Sequence, residues 1–107
     1  MNHVILIGNL TRDPEGGQTQ QGITWCRFTL AVQRRFSDAT GKREADFLSV
    51  VCWRQLAENC IRYLHKGSKA GISGRIEVRP YEDVNGQKRT SIEIIADSVE
   101  FLSPTER

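Results

Sequence analysis

Between residues 3 and 9 the chain reads His-Val-Ile-Leu-Ile-Gly-Asn, rich in β-branched residues and followed by a turn-forming stretch from Thr11 to Gly22. That composition predicts a first strand. At a strand's period of two, Val4 and Leu6 point one way and Ile5 and Ile7 the other, so both faces are apolar. A small antiparallel protein ordinarily leaves one face to water. The second face is therefore expected to be covered, either by another subunit, the simpler reading, or by a second layer of the chain's own core.

From Ile23 to Gln33 the alternation is cleaner. Cys26, Phe28, Leu30 and Val32 share one face, with Trp25, Arg27, Thr29, Ala31 and Gln33 opposite, which predicts a half-buried strand. The polar loop Ser37 to Arg43 precedes a third strand over residues 45 to 54, with Phe47, Ser49, Val51 and Trp53 opposite Leu48, Val50 and Cys52. The period then changes. Leu56, Cys60, Tyr63 and Leu64 recur at helical spacing between Gln55 and Lys66, and Gly67 supplies the stop. A fourth strand follows from Ser68 to Arg79, with Ala70, Ile72, Ile76 and Val78 as its apolar set. Asn85-Gly86 predicts a hairpin. The fifth strand, Lys88 to about Phe101, slips phase between Ile94 and Ile95, which suggests a bulge. Strand, strand, strand, helix, strand, strand is the order of an OB-fold, an all-β Greek-key barrel of five strands with one helix between the third and fourth. At 107 residues the whole chain, 1–107, makes one such domain.

Charge sharpens the picture only when resolved along the chain. The formal total is +2. Residues 27 to 89 hold 13 basic and 7 acidic side chains, or +6, between a −1 start and a −3 end. The longest aliphatic run is Val4 to Ile7, far short of the roughly 20 residues of a membrane span, and no secretory leader pattern opens the chain. A cytoplasmic protein without a membrane partner is expected. Cys26, Cys52 and Cys60 form no C-x-x-C pair and read as small buried hydrophobes in a reducing compartment, with no metal.

Phe28 and Phe101 fall on apolar faces, and Tyr63 lies with the helix's apolar set. Phe36, Phe47, Trp53 and Tyr81 sit where a core would not want them, and all four lie within the basic segment. Unpaired bases expose apolar faces that stack on aromatic rings for ~1 to 3 kcal/mol each, while Arg and Lys follow the phosphates. These four rings are therefore the candidate base-stacking platforms, with Arg34, Arg35, Arg54, Arg75 and Arg79 as candidate phosphate contacts. Phe47 and Trp53, six residues apart on one strand, are roughly 20 Å apart and must engage different bases. For Trp25, packing within the barrel or at a subunit contact is preferred over an accessory platform. Catalysis is not expected, and no cofactor is implied. His3 and His65 are isolated, and neither a catalytic-triad pattern nor a phosphate-cradling Gly-rich loop occurs.

Across essentially its whole length the chain resembles the bacterial-type single-stranded DNA-binding protein family. The resemblance is carried by Asn2 to Leu10 with Asp13-Pro14-Glu15, by Phe28 to Ala31, Leu56 to Glu58, Tyr63 to Ser68 and Ser73 to Arg75. The family's four base-stacking positions match Phe36, Phe47, Trp53 and Tyr81. The resemblance implies a homotetramer built from dimers that wraps single-stranded DNA and protects it in replication, recombination and repair, on the nucleoid when bound. It also implies dimerisation through the first strand, Val4, Ile5, Leu6 and Ile7. Phe36 and Tyr81 stand where the family often has Trp, and Pro80 where a basic residue is common. Family members usually continue into an acidic-tipped tail that recruits other proteins. This sequence ends at Ser103-Pro104-Thr105-Glu106-Arg107, so recruitment through such a tail is not expected. The competing readings are an OB-fold protein-interaction subunit of a replication-restart (primosome-type) complex, and an RNA-binding OB-fold.

Overall fold

The computed structural model describes residues 1–103. The strands are β1 (Val4–Leu10), β2 (Glu15–Gln18), β3 (Thr24–Ser37), β4 (Arg43–Trp53), β5 (Lys69–Glu82) and β6 (Lys88–Phe101), with a single helix α1 (Arg54–Tyr63) between β4 and β5. Neighbours run β1-β5-β6-β4-β3, and β3 pairs back to β1 through Asn9↔Ala31 and Leu10↔Leu30, which closes a five-stranded barrel. All its pairings are antiparallel except β4–β6, where Ser49, Val50 and Val51 run alongside Glu93, Ile94 and Ile95. This is the predicted OB-fold. The helix lies between the third and fourth barrel strands once the short β2, an edge addition to β3, is set aside.

Closure depends on Gly8. A Cβ there would collide with the Ala31 carbonyl, so only a residue without a side chain lets β1 and β3 approach. β2 escaped the sequence pattern because Glu-Gly-Gly-Gln offers no apolar alternation. Its glycines are used for packing: a Cβ on Gly16 would strike the Ile61 side chain of α1, and Gly17 lies under the Trp25 ring.

Inward side chains build one core. Leu30, Val50, Ile72, Cys26, Cys52 and Cys60 are fully enclosed, and α1 contributes Ala57 and Cys60. All three cysteines are free thiols within this core, as expected of small hydrophobes. The Cys52 and Cys60 sulfurs lie 3.8 Å apart. Among the described residues no helix is long and apolar enough to cross a membrane.

Several boundaries differ from the pattern. The helix begins at Arg54, which the pattern placed in the strand, and ends at Tyr63 rather than Lys66. It stops early because Leu64 turns extended to bury its side chain in the core, while the Lys66 N–H is taken by the Asp13 carboxylate at 2.8 Å. β6 does carry a bulge, but the register with β5 slips between Ser98 and Ala96, leaving Asp97 as the extra residue. Ile94, Ile95 and Ala96 are all buried because both faces of the strand are covered there, and this mimicked a phase slip. Tyr63 and Phe101 are half exposed rather than core residues, with their rings 5.9 Å apart. Ile76 and Val78 were also expected inside, yet beyond Val78↔Ile92 the β5–β6 hairpin leaves the barrel and its strands pair only with each other. Val78 and Ile92 are accordingly 60% and 54% exposed.

Candidate nucleic-acid interface

The outward-facing residues of β3, β4, β6 and β5 form one continuous surface. Trp25 stands opposite Trp53, Arg27 opposite Val51 and Ala31 opposite Phe47 across the β3–β4 ladder. Val51 then neighbours Ile95 on β6, which faces Arg75 on β5. Along the hairpin the same parity brings out Glu77, Arg79 and Tyr81 opposite Glu93, Ser91 and Arg89. Phe47, Trp53 and Tyr81, singled out from sequence as exposed rings, thus share this surface at 67%, 43% and 51% exposure. Three large rings leave about half or more of their surface in water on one side of a small barrel, more than core packing would leave.

Phe36 is placed differently. Between Gln33 and Ser37 the β3–β4 register shifts by two residues, so the ladder gives Phe36 no partner and no fixed place on the shared surface. It is 82% exposed and borders a shallow depression of about 320 Å³ with Arg34, Arg35 and Glu44, out on the β3–β4 arm.

Trp25 belongs to the surface rather than the barrel interior. Its ring lies against Gly17, and with Thr19, Arg27, Val51 and Trp53 it borders a depression of about 230 Å³. Val51 is almost fully covered and makes an apolar floor between the two indoles. Parity on β3 was the signal available for Trp25, since it shares a face with Arg27. Its pairing with Trp53 depends on register and was not legible.

The arginines divide by partner. Arg34 donates to Asp46 at 2.9 Å and reaches Glu44 at 3.3 Å. Arg75 and Arg79 both bind Glu77, each at 3.1 Å, and Arg79 also lies 3.6 Å from Glu93. Arg35 and Arg54 make no ion pair among the described residues. Arg27, which the sequence reading did not single out as a phosphate contact, sits at the centre of the surface on Glu93 at 3.0 Å. The guanidiniums of Arg79 and Arg75 hold the Glu77 carboxyl below its ordinary range. Arg89 does the same to Asp83, helped by the Gln87 N–H, and Asp46 holds the Arg34 guanidinium above its usual value. Glu77 and Asp83 therefore remain carboxylates, and Arg34 a cation, around neutrality.

Trp53 is followed by a sharp turn into α1. Arg54 has φ 62°, alone among the described non-glycine residues in its positive value, and Trp53 precedes it in extended conformation without a side-chain cap. The turn lets the sheet's outer row end on Trp53 while the next residues run back over the core as helix.

An OB-fold barrel whose outer face carries exposed aromatic rings among arginines defines a class, the single-strand nucleic-acid binders that combine stacking platforms with a basic track. The chain belongs to the Single-strand binding protein family, which it matches over residues 1–102. It is 50% identical over 104 residues to "Single-stranded DNA-binding protein 1" of Staphylococcus aureus, covering 97% of this chain and 67% of that protein. A second relative, "Single-stranded DNA-binding protein" of Halalkalibacterium halodurans, is 50% identical over 97% of this chain and 62% of its own length. "Single-stranded DNA-binding protein 2" of Listeria monocytogenes is 48% identical, with 97% and 65% covered. The chain thus spans about two thirds of the length of these relatives. Their names give no support to a replication-restart subunit.

Proposed function

We propose that the protein binds single-stranded DNA without sequence specificity, stacking bases on Phe47, Trp53 and Tyr81 with Phe36 on the β3–β4 arm. Arg34, Arg35, Arg54, Arg75 and Arg79 meet the phosphates, joined by Arg27. The observation that carries this reading is the placement of three exposed rings on one outer surface together with Arg27, Arg75 and Arg79. Family membership and the relatives' names support DNA as the ligand. Stacking needs an unpaired base face, so duplex is a poor ligand, and rings without base-edge contacts accept any sequence. We extend the proposal to protection of DNA in replication, recombination, repair or uptake by a cytoplasmic protein, nucleoid-bound when on DNA.

The working form is a homotetramer built from dimers. Ile5 and Ile7 of β1 are 71% and 55% exposed, whereas Val4 and Leu6 pack on the core, so the outer pair supplies the contact.

Titration of oligo-dT with tryptophan fluorescence as readout tests the proposal. Binding is expected to quench strongly, since Trp25 and Trp53 are the two tryptophans. Trp53→Ala is expected to lose most of the quenching and roughly five- to 150-fold in affinity, from ~1 to 3 kcal/mol of stacking. Equal affinity for duplex and single strand would overturn the stacking mechanism.

A further inference from the structure

Three guanidiniums and two carboxylates alternate across the centre of the outer surface. Arg27 donates to one Glu93 oxygen at 3.0 Å, and Arg79 lies 3.6 Å from the other. Glu77 takes Arg79 on one oxygen and Arg75 on the other, each at 3.1 Å. The row Arg27, Glu93, Arg79, Glu77, Arg75 lies on β3, β6 and β5: it leaves the Trp25–Trp53 depression at Arg27, reaches Arg79 two residues short of Tyr81, and turns back along β5 to Arg75. Its side chains are layered. The arginines are 50% to 64% exposed, but Glu77 is 33% and Glu93 only 14% exposed, so the carboxylates lie beneath the guanidiniums they hold. On the β3–β4 arm Arg34 also holds two carboxylates, Asp46 and Glu44, but without this layering, since all three side chains are about half exposed.

Ion pairs at a surface contribute little to stability, so folding gives Glu77 small use, while Glu93 is the more enclosed of the two carboxylates. Their effect on an incoming polyanion is larger. A phosphate that takes one of these guanidiniums binds beside a carboxylate that already holds part of it, a few ångströms away, and is repelled by that charge. The two glutamates reduce the row from three positive charges to one. A ligand with unpaired bases offsets that loss by stacking on the rings; a ligand with charge alone has no such term.

We infer that Glu77 and Glu93 are selectivity residues, built-in counter-ions that make stacking the condition for binding and turn away polyanions lacking unpaired bases. The inference rests on the stacking mode proposed above. It predicts that neutralising the glutamates improves binding of base-free or base-paired polyanions more than binding of single strands.

The test compares the wild-type chain, Glu77→Gln, Glu93→Gln and the double variant on oligo-dT, on a duplex of equal length and on heparin, each over a range of salt. The double variant is expected to bind duplex and heparin about tenfold tighter, and oligo-dT only about two- to threefold tighter. Its oligo-dT salt slope should steepen by ~0.7 for each phosphate newly neutralised. Unchanged ligand ratios and slopes would overturn the inference. So would weaker binding to every ligand, which would mean that the glutamates only orient the arginines. Wild-type protein that fails to bind oligo-dT would remove the stacking mode itself, and this inference with it. Melting curves of each variant check folding, and the more exposed Glu77 tests the idea alone if Glu93→Gln destabilises the barrel.

Discussion

Arg54 combines a conformational cost with a position next to Trp53, where it is proposed to meet a phosphate. Its φ of 62° lies in the left-handed region, which costs a residue with a Cβ on the order of 1 to 2 kcal/mol. Glycine would adopt the same turn freely, so Arg54→Gly should stabilise the fold by about 1 kcal/mol and raise the melting temperature by several degrees. The same substitution removes a cation beside Trp53 and should weaken oligo-dT binding severalfold. A calorimetric scan and a titration on one preparation check both, and a variant that gained affinity would rule out Arg54 as a phosphate contact.

At the scale of the element, β1 and the β5–β6 hairpin show how one alternation serves two environments. Both faces of β1 are apolar, and the chain's own core accounts for only one, through Val4 and Leu6. Ile5 and Ile7 face outward beside Leu102, at an apolar patch edged by Ser73, Ser98 and Glu100. Ile5→Asp, by placing a charge on that surface, should dissociate the proposed tetramer while leaving the barrel folded. Native mass spectrometry and far-UV circular dichroism read the two properties separately, and an intact tetramer would move the subunit contact elsewhere. In the hairpin the apolar pattern of Ile76 and Val78 continues past the barrel wall, so periodicity alone could not distinguish core from arm.

For the whole molecule, the buried thiols couple stability to alkaline pH. Contact with Cys52 and burial push the Cys26 thiol well above its ordinary value. Cys26 acts on Cys52 in the opposite sense, but contact with Cys60 and burial outweigh it, and Cys52 is pushed up to about 12 from 9.0. The unfolded chain therefore releases these protons at lower pH than the folded one. Stability is full below about 9 and falls as pH rises above it, by on the order of 1.4 kcal/mol per pH unit for each such thiol. Denaturant midpoints between pH 8 and 10.5 should decline, and Cys52→Val should flatten the decline relative to its own value at pH 8. An equal slope in the variant would exclude Cys52 as the source.

By itself the amino-acid sequence determined the element order, the OB-fold, the cysteine core and three rings of the outer surface. Each rests on local periodicity or on residue type, and strand parity alone puts Phe47 and Trp53 on one side. Tertiary structure alone decided what depends on register between distant strands. Arg27 meets Glu93 across 66 positions, and Trp25 stands opposite Trp53 because of how β3 and β4 align. The two-residue shift that takes Phe36 off the shared ladder, the edge strand built on two glycines and the early end of α1 at Leu64 likewise follow from packing. Charge shows the distinction most plainly. A +6 central segment is readable along the chain, but its carboxylates lie beneath its arginines only once four strands have been laid side by side.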